Sequence, residues 1–231
     1  MFVLGIPRCN EPPSVFEETL QAARESALQP DHTVLVDNGD QPFEGWTPIY
    51  GCVVVRPGRN VGCAGAWNIV LRLAFATLDA DSAILLNGDC AVGKDTFGRM
   101  LASPARLVCA HGFSCFRIDR ALWNAIGEFD EEYWPVYWED TDYRRRLALA
   151  GEPIEEWPLE EVGRPSHGRA VYASGITHGK SDAGGYQGWT GDKRAWFQER
   201  LEANRQRYIA KWGGLPGSER FSTPFGEACS P

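Results

Sequence analysis

The sequence has no C-x-x-C pair, no G-x-G-x-x-G after its first apolar run and no G-x-x-x-x-G-K-[ST] anywhere. Rossmann dinucleotide binding and P-loop chemistry therefore lose their usual signatures. Its seven cysteines are an odd number, scattered at 9, 52, 63, 90, 109, 115 and 229. That argues against a zinc ribbon or a disulfide framework and fits reduced thiols in a cytoplasmic protein. Basic charge is also short: 23 Lys and Arg stand against 31 Asp and Glu, for a net charge of -8. A general nucleic-acid binder needs the opposite field. No apolar run approaches the length of a membrane span. The opening MFVLGIPRCNEPP has no basic start and breaks at Pro7, so no signal peptide is expected.

What is present points to one α/β domain. The 231 residues suffice for a sizeable core, and 43% of them are hydrophobic. FVLGIP reads as a strand, and Ser14-x-x-Glu17 predicts a capping box for a helix over 15–28. TVLVDNGD, CVVVRPG and SAILLNGD are further strands, and CAGAWNIVLRLAFATL is a buried helix. RLVCAHGFSCFRI reads as one or two strands, RALWNAIG as a short helix, and EDTDYRRRLALAG as a helix closed by Gly151. GITHGKSDAGGYQGWTGD is expected to be a mobile loop. A long amphipathic helix follows, with Phe197, Leu201, Tyr208 and Trp212 on one stripe, and then an irregular tail.

Continuous apolar strands alternating with helices imply a mostly parallel sheet covered on both faces. Ligands gather beyond the carboxyl ends of such strands. The polar exits there are Pro7-Arg8-Cys9-Asn10-Glu11, Asp37-Asn38 and Asn87-Gly88-Asp89. Asp89 at a strand exit suits Mg²⁺ or Mn²⁺ with a diphosphate, or else a plain Asx turn. GCAGAWN either meets a phosphate through backbone N–H groups or packs a helix tightly on the sheet. His178 is a metal ligand or a structural histidine. In EYWPVYWEDTDYRRRLALAG, Glu139, Asp140 and Asp142 complement a helix start, with surface ion pairs Asp140–Arg144 and Asp142–Arg146. That does not explain why Trp134, Tyr137 and Trp138 crowd beside them. Aromatic planes next to carboxylates suit a sugar-binding acid/base site.

In chain order, VDNGD, RNVGCAGAWN, LLNGD, GEFDEEYWPVYWEDTDYRRRLALAG and THGKS resemble the signature blocks of family 2 glycosyltransferases of the GT-A fold, in their rhamnosyltransferase-like branch. The resemblance covers roughly residues 2–181. It implies a Rossmann-like single domain over 1–231, with a nucleotide-binding half to about 90, an acceptor half to about 190, and a C-terminal helix and tail. It implies an inverting transfer from a UDP-, dTDP- or GDP-linked sugar, aided by Mn²⁺ or Mg²⁺, to a glycan, lipid-linked, small-molecule or protein acceptor. On this resemblance Pro7, Asn10, Glu11, Asp37, Asn60, Gly62, Asn87 and Gly88 line the nucleotide pocket, with Asp37 on the base. Asn68 faces the sheet edge. Asp89 and His178 hold the metal, the first Asp of the family's D-x-D motif being Asn87 here. Gly112, Trp138 and Lys180 flank the donor sugar or acceptor, Asp140 is the general base, and Glu139 assists it. Two rival readings are a sugar nucleotidyltransferase and a non-catalytic nucleotide- or carbohydrate-binding module. The first should carry a Gly-rich basic loop where PRCNEPPS stands, and the second would not need Asp140.

Overall fold

The computed structural model describes residues 1–39, 52–163, 170–172, 174–178 and 190–226, with backbone only at 161–163, 170, 171, 177 and 178. Seven strands form the main sheet: β1 (Phe2–Arg8), β2 (His32–Asp37), β3 (Cys52–Val55), β4 (Ser82–Leu86), β6 (Leu107–His111), β7 (Cys115–Asp119) and β8 (Glu155–Glu156). Their order is β3-β2-β1-β4-β7-β6-β8. Every neighbouring pair is parallel except the two made by β7. A smaller sheet of four strands joins β5 (Cys90–Val92), β11 (Ile176–His178), β10 (Ala170–Tyr172) and β9 (Glu161–Gly163), all antiparallel.

The central strands are apolar throughout because both of their faces are covered. Alternate side chains feed two cores. Val3, Val34, Val36, Ala83 and Leu85 face one side. They pack there against α2 (Gly62–Arg72), α4 (Arg120–Ile126) and α5 (Glu139–Ala150), through Trp67, Val70, Leu122, Tyr143 and Leu147. Leu4, Ile6, Leu35, Ile84 and Leu86 face the other side, against α1 (Pro13–Arg24) and α3 (Thr96–Ala102), through Phe16, Leu20, Phe97 and Met100. The long α6 (Gly191–Trp212) lies apart from both cores and packs through Tyr208 and Trp212 on Tyr133, with Trp138 against them.

Local expectations were partly wrong. Helix α1 starts at Pro13 with Pro12 as its cap residue and no side-chain cap, and it stops at Arg24 rather than near 28. Proline fits the first turn because its missing N–H has no partner there in any case, so the Ser14 box is not needed. The apolar helix after Gly62 does not continue regularly: it widens into a π-helix over Leu73–Thr77. RLVCAHGFSCFRI, read as one or two strands, is two. The tail over 213–226 is irregular yet tied down. Arg220 N and Phe221 N donate to Trp212 O, and Arg145 Nη2 donates to Phe221 O.

Candidate active site

The carboxyl ends of β1, β2 and β4 converge as the parallel topology requires. Gly88 N donates to Pro7 O at 3.0 Å, which ties the β4 exit to the β1 exit. A Cβ at Gly88 would meet Pro7 O at 3.0 Å and Glu11 Cδ at 3.1 Å, so any side chain there would have to push the two exits slightly apart. Asn10 takes a left-handed turn, φ 60°, which asparagine tolerates better than most residues. It delivers Glu11 to the same place, where Glu11 Oε2 accepts from Cys9 N at 2.5 Å. Burial, with the Asp89 carboxylate adding to it, pushes Glu11 up to about 7. Two carboxylates are thus close at the β4 exit.

The register His178↔Cys90 sets the β11 backbone beside the residue that follows Asp89. Asp89 and His178 are therefore neighbours in space although they lie far apart in sequence. Among the described residues no group of three or more His, Cys, Asp and Glu is gathered tightly enough to hold a metal. The oxygen donors of Asp89 and Glu11 still have the chemistry that a hard divalent ion takes. Lys180 lies outside the described residues.

Asp37 is buried and doubly paired, Oδ1 to Arg8 Nη1 at 2.9 Å and Oδ2 to Arg56 Nε at 3.4 Å. A base arriving at this exit would meet guanidinium groups as well as the carboxylate. Next to it, Asn38 and Asn60 knit the start of α2. Asn38 Oδ1 accepts from Val61 N at 2.7 Å, Asn38 Nδ2 donates to Gly62 O at 3.0 Å, and Asn60 Oδ1 accepts from Gly62 N at 2.8 Å. Gly62 has φ 78°, and a Cβ there would meet Trp134 Cδ1 at 2.9 Å. The first two N–H groups of α2 are already used, that of Gly62 by Asn60 and that of Cys63 by Pro135 O at 2.8 Å. This favours close packing over phosphate capture for GCAGAWN. Asn68 is wholly buried and holds the backbone of Phe129 in both directions, at 2.9 Å each. Asn87 Oδ1 accepts from Trp67 Nε1 at 3.3 Å, and Asn87 N donates to Ser114 O. The latter bond ties β4 to the β6–β7 turn that contains Gly112. A Cβ on Gly112 would touch nothing, so the space above that turn is open.

The segment before α5 carries the most strained backbone of the site. Tyr137 and Trp138 both have positive φ, 68° and 78°. For bulky residues each such conformation costs about 1 kcal/mol or more. Asn204 of α6 is buried and donates to Val136 O at 3.1 Å and Tyr137 O at 3.2 Å, which holds the bend. The bend separates the two acids that follow. Glu139 turns to the start of α2, where the Cys63 thiol donates to it. Asp140 turns the other way, into a cavity of about 700 Å³. Tyr137, Trp138, Asp140 and Thr141 form one wall of it, and Arg194, Phe197, Gln198 and Leu201 of α6 form the other. Asp140 Oδ1 accepts from Thr141 N at 2.7 Å.

The expected surface pairs of α5 are only half present. Arg144 pairs with Glu156, not with Asp140. Asp142 does pair with Arg146, at 3.0 Å, but it is fully buried rather than a surface helix-start acid. It also meets Lys211 Nζ at 2.7 Å and accepts from Trp212 Nε1 at 2.8 Å. Asn204, Lys211 and the α6 wall were missed by sequence reasoning, although 204 and 211 fall in step with the apolar stripe.

Burial, then the Asp140 charge, pushes Glu139 up to about 8 from an ordinary 4.5. The folded protein therefore keeps a proton that the unfolded chain releases above about 4.5. Stability should be full below that value and fall as pH rises to about 8. At about 1.4 kcal/mol per pH unit, the loss is on the order of 3 kcal/mol between pH 5 and 8. Glu139→Gln should remove that part of the slope and unfold at higher urea than the parent at pH 8. Parallel pH–stability curves for the two proteins would refute the buried, protonated carboxyl.

The architecture is a glycosyltransferase fold. It is similar to the mannosyltransferase PcManGT of Pyrobaculum calidifontis, solved with GDP-Man and Mn²⁺, at 19% identity and TM-score 0.54, covering 68% of this chain and 54% of that one. It is also similar to S. aureus TarS 1-349, at 15% identity and TM-score 0.53, covering 68% and 57%. TarS 1-349 has also been solved in complex with UDP. The chain thus spans little more than half the length of these neighbours. No protein-family model matches the sequence, and no curated protein matches it. At these identities the likeness concerns the fold. No helix among the described residues is long and apolar enough to cross a membrane.

Proposed function

We propose that this protein is an inverting, metal-dependent glycosyltransferase of the family 2 type, moving a sugar from a nucleotide-diphosphate donor to an acceptor hydroxyl in the cytoplasm. The observation that carries this is the Asp140 carboxylate opening into the aromatic cavity of a glycosyltransferase fold. The nucleotide belongs over the exits of β1, β2 and β4, bordered by Pro7, Asn10, Glu11, Asp37, Asn60 and Gly62, with Asn87 and Gly88 beneath the diphosphate. Asp89 and His178 would hold Mn²⁺ or Mg²⁺, with Glu11 at hand. Held there, such an ion would supply the charge neutralisation that a leaving diphosphate requires.

Asp140 takes the proton of the acceptor hydroxyl as its oxygen bonds to the anomeric carbon. The bond from that carbon to the diphosphate oxygen breaks on the opposite face, which inverts the centre. Glu139, pushed up to about 8 mainly by burial, keeps its own proton near neutral pH. Gly112 leaves room for the sugar, and Trp138 and Tyr137 shield the reacting centre from water. Lys180 is proposed at the phosphates. A nucleotidyltransferase has no need of a carboxylate facing an aromatic cavity, and a plain binding module would use one without turnover.

Release of free nucleoside diphosphate on addition of an acceptor separates the three readings. For the metal, Asp89→Ala is expected to abolish the Mn²⁺-dependent part of UDP or GDP binding by calorimetry. Full metal-dependent affinity in that variant would remove Asp89 from the site.

A further inference from the structure

The cavity in front of Asp140 is shaped by α6, and α6 gives it a chemical character that Asp140 alone would not. Half of its lining is apolar and built mostly of aromatic rings, Tyr137, Trp138 and Phe197, and the other half is polar. Tyr137 meets Phe197 edge to face, with ring centroids 6.0 Å apart, and Trp138 leans on Tyr208 at 5.3 Å. Leu201 completes that surface. Such a wall takes the apolar face of a sugar or aryl ring. A volume of about 700 Å³ admits one ring with a substituent or a second ring.

The lining carries one cation beside the Asp140 carboxylate. Arg194 lines the cavity, and no hydrogen bond or ion pair engages it among the described residues. Arg145, Arg146 and Arg207 of the same two helices are committed elsewhere, to Phe221 O, Asp142 and Asp130. Gln198 stands one turn further along α6 than Arg194, on the same side, and adds a neutral donor and acceptor.

We infer that the acceptor is a ring compound, a sugar or aryl glycoside, carrying a single carboxylate that Arg194 binds while the ring lies on Tyr137, Trp138 and Leu201 and presents a hydroxyl to Asp140. The inference rests on the glycosyltransferase reading for the role of Asp140. A carboxylate fits better than a phosphate because one negative charge balances the one guanidinium. A dianion would leave excess negative charge beside Asp140. The planar fork of arginine also matches the two carboxylate oxygens.

Binding in the absence of donor tests the inference on its own. Phenyl β-glucuronide and phenyl β-glucoside differ in that one carries a carboxylate and the other does not. By calorimetry or saturation-transfer NMR, the glucuronide is expected to bind about tenfold more tightly than the glucoside, the scale of one charge-assisted hydrogen-bonded pair. Arg194→Ala should bring the two to equal affinity. Leu201→Trp, which fills the cavity, should remove both. Equal affinity in the parent, a glucuronide preference that survives Arg194→Ala, or no binding of either probe would each overturn the inference. Titration of the same protein with GDP or UDP and Mn²⁺ examines the glycosyltransferase reading separately, since that site lies at the strand exits. Nucleotide binding without a glucuronide preference sinks only the acceptor class. A glucuronide preference without nucleotide binding sinks the donor chemistry and leaves the anionic-ring site standing.

Discussion

Asp140→Asn is expected to lower turnover by about 100-fold or more while leaving nucleotide affinity and the fold intact, since loss of a general base costs on this scale. The reason is geometric. Asp140 lies half-buried at the cavity wall, anchored by Thr141 N on one oxygen. The second oxygen is left to take a proton. Asparagine fills the same space and can keep the bond from Thr141 N, but it cannot accept a proton. Glu139→Gln should reduce turnover far less, because Glu139 already holds its proton near neutral pH and faces Cys63 rather than the cavity. Steady-state transfer measured beside donor binding for both variants decides the matter. If Asp140→Asn turns over like the parent, the base lies elsewhere.

Asp142→Ala is expected to have the largest effect on stability. Its carboxylate is fully buried and is approached by Arg146 Nε at 3.0 Å, Lys211 Nζ at 2.7 Å, Trp212 Nε1 at 2.8 Å and, more distantly, Tyr133 OH at 3.4 Å. Removing it leaves Lys211, itself buried, with Asp130 at 2.8 Å as its remaining acidic partner among the described residues, one that it shares with Arg207. Breaking one side of a buried charge network typically costs about 3–5 kcal/mol. Urea unfolding followed by tryptophan fluorescence measures it directly, because Trp212 is itself a partner. Asp142→Asn keeps the shape and part of the hydrogen bonding and should lose less. A loss below about 1 kcal/mol in Asp142→Ala would mean that the network contributes little beyond what solvent supplies at the surface.

Much of the fold could be read from the chain, for a physical reason. The runs FVLGIP, TVLVD and SAILL are apolar at every position because both faces of the central strands are covered, so strand, parallel pairing and flanking helices follow together. Helix α5 begins at Glu139 and ends at Ala150, before Gly151, where its acidic start and glycine stop put it. The second sheet was not legible. Strands of three residues, β5 and β9 to β11, carry no usable period, and their partners are brought together only by the tertiary fold.

The site shows the same divide. Residues at strand exits could be located from sequence because parallel sheets bind there. The opposite orientations of Glu139 and Asp140 could not, since they depend on the left-handed bend at Tyr137 and Trp138, which no propensity anticipates in such bulky residues. The long-range partner that holds this bend, Asn204, looks in the sequence like one more polar residue on an exposed helix. Its place in the series 197, 201, 204, 208 was the available signal.

That bend sets two selective demands against each other. Glycine at either position would relax the backbone, and a search for hardier variants of this chain would find Tyr137 and Trp138 early. Each relaxation would also strip an aromatic plane from the cavity and release the angle that sends Asp140 one way and Glu139 the other. On the proposed glycosyltransferase reading, these two strained residues are ones that selection for turnover would retain and selection for heat resistance would discard. Any thermostable descendant obtained by changing them should be read as a probe of how much of its conformational tension the reaction needs.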